Sequence, residues 1–210
     1  MARSIGPACR QCRREGIKLY LKGTRCDTAK CPMEKQWRNV APGMHPYRRT
    51  KGTEYAKRLR EKQKVKRYYG VLEAQFQRVF GLAARSPQNT GVALLTMLER
   101  RLDNVVHKMN LAASRKSARQ HILHGHFRVN DRSVCQPGFI VRQGDRVSVH
   151  PRERSRKLVK AWVDADPNRP VQPWLRVDAG KLEGVVEALP GRDDVQIPVE
   201  ENLIVEFCSR

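Results

Sequence analysis

The sequence predicts an α+β protein with a helical amino-terminal domain, a small module of two helices and a β-sheet, and further strands towards the carboxyl terminus. Three observations predict this class. Four cysteines stand within the first 31 residues, and apolar residues recur at helical spacing between residues 53 and 124. Short alternating segments with turn signals follow from residue 127. A chain of 210 residues suffices for one or two small domains.

The cysteine segment is expected to bind a metal ion. Cys9 and Cys12 form a Cys-x2-Cys pair, and Cys26 and Cys31 follow as Cys-x4-Cys. Two short loops of this kind can bring four thiolates to one tetrahedral centre, so the metal would be structural. Zinc is preferred, and a four-iron four-sulfur cluster is the alternative because it also takes four cysteines. Disulfides are less favoured because no apolar signal segment follows Met1.

The charge of the chain indicates a polyanionic partner. There are 42 Lys and Arg residues against 21 Asp and Glu, which gives a formal net charge of +21. Residues 163–210 reverse this balance with ten acidic and five basic side chains, so we expect this tail to face away from phosphates. No stretch approaches the roughly twenty apolar residues that span a bilayer, so we expect no membrane partner.

A basic loop at residues 41–52, marked by proline and glycine, separates the cysteines from a cationic helix. Thr53 is its expected N-cap, and Gly70 lies just past its expected end. Only Glu54 and Glu61 offset the many cations along this helix. Their mutual repulsion would oppose an isolated helix, so we expect the cations to contact phosphates. A second helix, with an apolar core stripe, is expected from residue 72.

Two more helices are expected beyond the loop at residues 86–91. Apolar residues from 94 to 109 predict one long amphipathic helix. Ser114 is expected to begin a short helix over residues 115–124, which Gly125 ends, and the basic residues of both helices are expected to face outward.

A β-hairpin is expected next. Residues 127–129 alternate, Asn130 and Asp131 mark a turn, and residues 147–149 supply another strand. Because aspartate tolerates the positive φ of a tight hairpin turn less readily than glycine, we expect a wider turn here.

Several short stretches are specific enough to indicate a family. They are Leu59-Arg60-Glu61-Lys62-Gln63-Lys64, Tyr69-Gly70-Val71, Arg101-Leu102-Asp103-Asn104-Val105-Val106, Ala118-Arg119-Gln120, His124-Gly125-His126 and Leu203-Ile204-Val205-Glu206-Phe207. Through them the helix-helix-hairpin module resembles the alpha-L, or S4-type, RNA-binding domain. The chain resembles the small-subunit (30S) ribosomal protein S4 family nearly end to end.

The resemblance implies a non-enzymatic constituent of the small ribosomal subunit. It implies a primary assembly protein that binds the five-prime domain of small-subunit ribosomal RNA in the cytoplasmic ribosome. It also implies contact with messenger RNA at the entry channel, and an influence on translational accuracy shared with ribosomal protein S5 among other small-subunit neighbours. The loop with Arg48, Arg49 and Lys51 corresponds to the messenger-facing region. Relatives usually have glutamine, histidine and glycine where this chain has residues 44–46, which leaves the loop path open.

We expect three segments: a metal-binding segment at 1–45, a basic helical domain at 46–91 joined by residues 195–210, and the RNA-binding domain with its β extension at 92–194. RNA recognition is expected to be mainly of shape, with arginine forks on phosphates. The expected RNA contacts are Arg48, Arg49, Lys51, Arg58, Arg60, Lys62, Lys64, Lys66, Arg67, Arg101, Lys108, Arg115, Lys116, Arg119, His121, His124 and Arg128.

Two other classes of protein share parts of this pattern. An RNA-modifying enzyme with an appended alpha-L module would need a catalytic domain, for which the residues after 149 leave little room. A metal-dependent DNA-binding regulator fits the charge but would be expected to show paired histidines or a dimerising heptad. The histidines at 121, 124 and 126 fit phosphate or ribose contacts better than a metal site, because no carboxylate or cysteine nearby in sequence completes a ligand set.

Overall fold

A computed structural model describes residues 5–45, 52–166 and 169–209. The helices are α1 (Ala8–Glu15), α2 (Glu54–Tyr68), α3 (Glu73–Ala83), α4 (Thr90–Glu99), α5 (Leu102–Lys108), α6 (Arg115–Leu123), α7 (Glu153–Ala165) and α8 (Glu201–Cys208). The strands are β1 (Phe127–Val129), β2 (Arg132–Ser133), β3 (Arg146–Val149), β4 (Leu175–Asp178) and β5 (Glu183–Val186). Helices with a small antiparallel sheet confirm the predicted α+β class.

The described residues form two compact units. The first runs to Leu94 and resumes at Ile197, and the second covers Leu95–Gln196. The first is therefore built from both ends of the chain, because α8 packs on α2. The rings of Tyr55 and Phe207 lie 5.4 Å apart at this contact.

The local signals around α2 act as the sequence predicts. The Thr53 hydroxyl accepts a hydrogen bond from the backbone N–H of Ala56 at 3.2 Å, which caps the helix. Gly70 adopts φ +65°, a left-handed conformation that glycine adopts readily, and ends it. The predicted carboxyl-terminal strands are β4 and β5, whereas the last element, α8, is a helix.

The second unit is built around a five-stranded antiparallel sheet in the order β2-β1-β3-β5-β4. In this register Phe127 lies opposite Val149, and Val129 lies opposite Val147. These four side chains are buried in one core with the apolar faces of α5 and α6. Water is therefore excluded from that face of the sheet, and α5 and α6 pack against it.

The single long helix predicted over residues 94–109 is wrong, because the structure breaks it into α4 and α5. The Arg101 backbone is extended and forms a β-bridge with Ile140. The backbone N–H of Leu102 donates to the carbonyl oxygen of Phe139 at 2.8 Å. Hydrogen bonds between residues 100–103 and residues 137–141 outweigh the local helical pattern.

The wider hairpin turn is also wrong. Asn130 and Asp131 have φ +48° and +63°, so a tight two-residue turn joins β1 to β2. The Asn130 side chain donates to Asp145 at 2.8 Å, and Asp131 pairs with Arg146 at 2.5 Å. These contacts hold Asn130 and Asp131 in a left-handed conformation that glycine would adopt more readily.

Candidate nucleic-acid interface

The cationic face of α2 is paired with carboxylates, most of them from other elements. Arg58 Nε lies 2.7 Å from Glu206 on α8, and Lys64 Nζ lies 2.5 Å from Glu61. The other expected RNA contacts on this helix are also paired. Lys62 and Lys66 pair with Glu73, and Arg60 and Arg67 pair with Glu15. Because Glu15, Glu73 and Glu206 come from other elements, the free positive charge on this helix is lower than the acids along α2 alone predict.

Glu73 at the start of α3 shows how strong this pairing is. Partial burial raises its pKa, but hydrogen bonds from Lys62, Lys66 and Gln77 lower the pKa to about 2. Glu73 therefore stays ionised at neutral pH and holds two of the cations that were expected to contact RNA.

Four of the expected contacts in the second unit are buried. Arg101, Lys108, Arg115 and Arg119 are all under one-tenth exposed, which corrects the expectation that they face outward. Two buried acidic residues bind these cations, either directly or through Asn104. One is Asp103, which accepts two hydrogen bonds from Arg101, at 3.1 and 2.7 Å, and lies 3.5 Å from Arg119.

Glu99, fully buried at the end of α4, is the second acidic residue. Its carboxylate lies 3.0 Å from Lys108 Nζ and accepts a hydrogen bond from Asn104 at 2.6 Å. Asn104 in turn accepts a hydrogen bond from Arg115 Nε at 2.7 Å. These residues form a satisfied buried network, which holds α4, α5 and α6 together.

About half of the exposed cations described in the second unit lie on α7, a helix that was not predicted from the sequence. Its exposed cations are Arg152, at the N-cap, Arg154, Arg156, Lys157 and Lys160. Val159 is buried, and Leu158 and Val163 pack on the core. This apolar stripe at helical spacing could have revealed an amphipathic helix with a cationic outer face.

The other expected contacts in this unit are more accessible. Lys116, His121 and Arg128 are partly exposed, and His124 is exposed. His121 Nε2 lies 2.8 Å from the Ser117 hydroxyl oxygen, which orients the ring. Lys116 lies in the first turn of α6, His121 and His124 lie at its end, and Arg128 lies in the adjacent β1.

The four cysteines of the amino-terminal segment line one small cavity of about 10 Å³. Cys12, Cys26 and Cys31 are buried, and all four are free thiols. Burial raises the pKa of Cys12, and the neighbouring cysteines raise it further. The four sulfur-bearing side chains are thus gathered, although within residues 5–45, 52–166 and 169–209 no group of three or more His, Cys, Asp or Glu is arranged to hold a metal ion. The metal site stays a prediction.

The messenger-facing residues Arg48, Arg49 and Lys51 lie outside the described residues. Across the part of the chain that the structure does describe, no helix is long and apolar enough to cross a membrane.

Comparison with known proteins decides the family. Residues 3–99 match the model of the ribosomal protein S4/S9 N-terminal domain, and residues 100–147 match that of the S4 domain. The chain is 54% identical to small ribosomal subunit protein uS4A of Symbiobacterium thermophilum and 52% identical to uS4 of Halothermothrix orenii. It is 50% identical to uS4 of Desulforamulus reducens, and each comparison covers all 210 residues of this chain and the whole of the relative. The chain belongs to the ribosomal protein S4 family.

Membership of the S4 family confirms the resemblance drawn from the short stretches and the prediction that the chain is not an enzyme. It also sets aside the DNA-binding regulator. The match to the S4/S9 N-terminal domain ends at residue 99 and the match to the S4 domain ends at residue 147, so α7 lies beyond both matches.

Proposed function

We propose that this S4-family chain, a structural constituent of the small ribosomal subunit, is a primary assembly protein that binds the five-prime domain of small-subunit ribosomal RNA. The observation that carries the proposal is end-to-end similarity to small ribosomal subunit proteins. The S4 domain match and the formal net charge of +21 support an RNA partner.

The expected contacts divide into two groups by their surroundings. Arg101, Lys108, Arg115 and Arg119 hold the fold and act on RNA through it. Direct phosphate contacts come from the accessible residues Lys116, His121, His124 and Arg128, and from the outer face of α7. On α2, the exposed pair of Arg58 with Glu206 can exchange its carboxylate for a phosphate at little cost, because exposed pairs contribute at most about 1 kcal/mol. The cations paired with Glu15, Glu61 and Glu73 are in more buried pairs and act mainly by holding the fold.

The α7 contacts can be tested through salt. The double variant Arg156→Gln, Lys160→Gln is expected to weaken binding to a five-prime-domain RNA fragment and to reduce the slope of log affinity against log salt by roughly 1.4–1.8. Each lost phosphate contact removes the release of about one counterion. Binding isotherms at several potassium concentrations measure the slope.

Lys181→Gln is the matched control for the α7 variant, since Lys181 is exposed but lies in the acidic tail. Its slope should equal that of the wild type. An unchanged slope for the α7 double variant would remove that helix from the RNA interface.

The RNA partner itself is tested by ultraviolet crosslinking in the native cells, followed by sequencing of the attached RNA and mapping of the attached peptides. The expected result is a dominant junction in the five-prime domain of small-subunit ribosomal RNA, attached through residues 48–67, 116–128 and 152–160. Scattered transfer RNAs would contradict the proposal and favour an RNA-modifying role.

We also propose that the segment with Arg48, Arg49 and Lys51 contacts messenger RNA at the entry channel, and that the chain shares an accuracy-determining boundary with ribosomal protein S5. The resemblance supports the first contact. The acidic balance of residues 163–210 supports a protein neighbour there, because a negative surface is repelled by RNA phosphates. Protein–protein crosslinking within intact small subunits tests the boundary.

The cysteine segment is proposed to hold one structural zinc ion through Cys9, Cys12, Cys26 and Cys31, with a four-iron four-sulfur cluster as the alternative. The shared cavity of the four cysteines supports the fit. Burial raises the pKa of Cys26, and the backbone N–H of Lys22, which donates to Cys26 Sγ at 3.4 Å, offsets part of that rise. A bound cation would offset the mutual repulsion of the thiolates. It would also stabilise the fold of a segment that has only a small hydrophobic core.

Cys26→Ser is expected to reduce bound metal from one equivalent towards none and to loosen residues 5–40. Elemental analysis of the purified chain measures the metal, and visible absorption separates an iron–sulfur cluster from zinc. Cys135→Ser is the matched control, because Cys135 is exposed and lies in the other unit. Stoichiometric metal in Cys26→Ser would refute four-sulfur ligation.

A further inference from the structure

Histidines and arginines gather at one corner of the second unit, where the end of α6 and the start of β1 meet the turn from β3 to α7. We call this set the histidine corner; it comprises His121, His124, His126, Arg128, His150, Arg152 and Arg154. The His126 ring centroid lies 5.8 Å from that of His121 and 6.0 Å from that of His124. The backbone N–H of His150 donates to the carbonyl oxygen of His126 at 2.8 Å, which ties the two segments together.

Hydrogen bonds orient two of these rings from α7. His126 Nδ1 lies 2.9 Å from the buried hydroxyl oxygen of Ser155. The backbone N–H of Arg152 donates to His150 Nδ1 at 3.3 Å, so the neutral ring of His150 carries its proton on Nε2. The rings are therefore held in place by the fold while part of each stays accessible to a ligand.

The charges around these rings favour their neutral forms. The pKa of His126 is lowered, first by partial burial and then by the positive charges of its neighbours His124, Arg154, Arg152 and His150. Partial burial and the guanidinium groups of Arg152 and Arg128 lower the pKa of His150. His121 follows the same pattern, because burial, His126 and His124 lower its pKa. Glu153, the carboxylate within this part of α7, is paired with Lys157 at 2.6 Å.

A phosphate would reverse this balance. An anion placed among the rings and guanidinium groups attracts the positive charge that the free chain resists, so it favours protonated histidine. By linkage, a group whose pKa rises on binding takes up a proton, and the affinity then increases as the pH falls towards the pKa of the free chain.

We propose that the histidine corner is a proton-linked phosphate site, at which an RNA phosphate binds together with a proton taken from solvent by an imidazole nitrogen. The proposal rests on the binding of ribosomal RNA proposed above. It adds a site, which includes α7 residues beyond the S4 domain match, and it makes the affinity of that site depend on pH. The guanidinium groups of Arg152 and Arg154 supply the permanent charge, and the histidines supply the variable part.

The test is calorimetric titration of a five-prime-domain RNA fragment with the full chain between pH 8.0 and 6.0, in two phosphate-free buffers of different ionisation enthalpy. The difference between buffers counts the protons taken up on binding. The wild type is expected to take up about half to one proton near pH 6.5 and to bind about three- to tenfold more tightly at pH 6.0 than at pH 7.5, since one proton changes affinity by up to about tenfold per pH unit.

Two variants isolate the corner from protonation of the RNA bases. His124→Gln with His150→Gln changes the more accessible rings, so the Ser155 contact of His126 is kept; it should lose most of the proton uptake, and its affinity should change much less between pH 8.0 and 6.0 than that of the wild type. His124→Arg should bind at least as tightly as the wild type at pH 8.0, with a weaker pH dependence, because its charge is permanent. His45→Gln, in the other unit, should keep the wild-type uptake.

Equal proton uptake by the wild type and the double variant would overturn the proton-linked site and leave ribosomal RNA binding intact. A wild-type chain that does not bind the fragment at any pH would overturn the proposed function, and this inference with it.

Discussion

Glu99→Ala is expected to lower the free energy of unfolding of the second unit by about 3–5 kcal/mol, because it leaves a buried cation without its partner. Glu99 is 0% exposed, and its carboxylate lies 3.0 Å from Lys108 Nζ. Burial lowers the pKa of Lys108, and Glu99 opposes that shift. The substitution also removes the carboxylate to which Asn104 donates at 2.6 Å and leaves only the Glu99 carbonyl oxygen at 2.9 Å as its acceptor, so Asn104 orients Arg115 less firmly.

Chemical denaturation at pH 7 measures the effect of Glu99→Ala. Glu187→Ala is the matched control, because Glu187 is an exposed glutamate paired with Arg176, and it should cost less than about 1 kcal/mol. The double variant Glu99→Leu, Lys108→Met should recover a large part of the loss, since it removes the unpaired charge together with its partner. A loss below about 1 kcal/mol in Glu99→Ala would show that the network does not hold the three helices together.

These buried pairs explain where the sequence was informative and where it was not. Helix caps and ends depend on neighbouring residues, so Thr53 and Gly70 marked α2 correctly. Arg101 and Arg119 are buried because Asp103 lies close to both in the folded unit. The composition of the chain does not contain this information, so both residues were predicted to be exposed. Spacing alone does not tell a cation that faces phosphate from one that faces a buried carboxylate.

The break between α4 and α5 follows the same logic. The apolar repeat over residues 94–109 is continuous. The helix is nevertheless interrupted, because the backbone of residues 100–103 forms hydrogen bonds and a β-bridge with residues 137–141. Long-range pairing of this kind is invisible to a local pattern. The turn at Asn130 and Asp131 also depends on distant residues, because Asp145 accepts a hydrogen bond from Asn130 and Arg146 pairs with Asp131, and both turn residues have positive φ.

His107, on α5, is expected to make the second unit sensitive to acid. Its Nε2 lies 3.1 Å from Arg169 Nη2, a permanent donor, so Nε2 must accept. Nδ1 therefore carries the proton and donates to the carbonyl oxygen of Ala112 at 3.2 Å. Burial, then the charges of Arg115 and Arg169, lower the pKa of His107 to about 3. A proton added to this ring would place a buried cation against the guanidinium group of Arg169, with that of Arg115 nearby.

The consequence for stability follows from the direction of that shift. Above pH 6.5 His107 is neutral in both the folded and the unfolded chain and contributes no pH dependence. As the pH falls from 6.5 towards 3, only the unfolded chain takes up the proton, so the free energy of unfolding drops by about 1.4 kcal/mol per pH unit from this residue. Between pH 7 and 4.5 the expected loss is about 2–3 kcal/mol.

Carboxylates titrate in part of the same range, so the difference between variants isolates His107. His107→Gln keeps a side-chain acceptor and does not titrate, so it should be less stable than the wild type at pH 7 but approach it, or exceed it, at pH 4.5. Denaturation curves at pH 7.0, 5.5 and 4.5 measure this convergence, with exposed His45→Gln expected to run parallel to the wild type. If the wild type and His107→Gln lose the same free energy over this range, His107 is protonated within the fold, and the Arg169 contact does not hold it neutral.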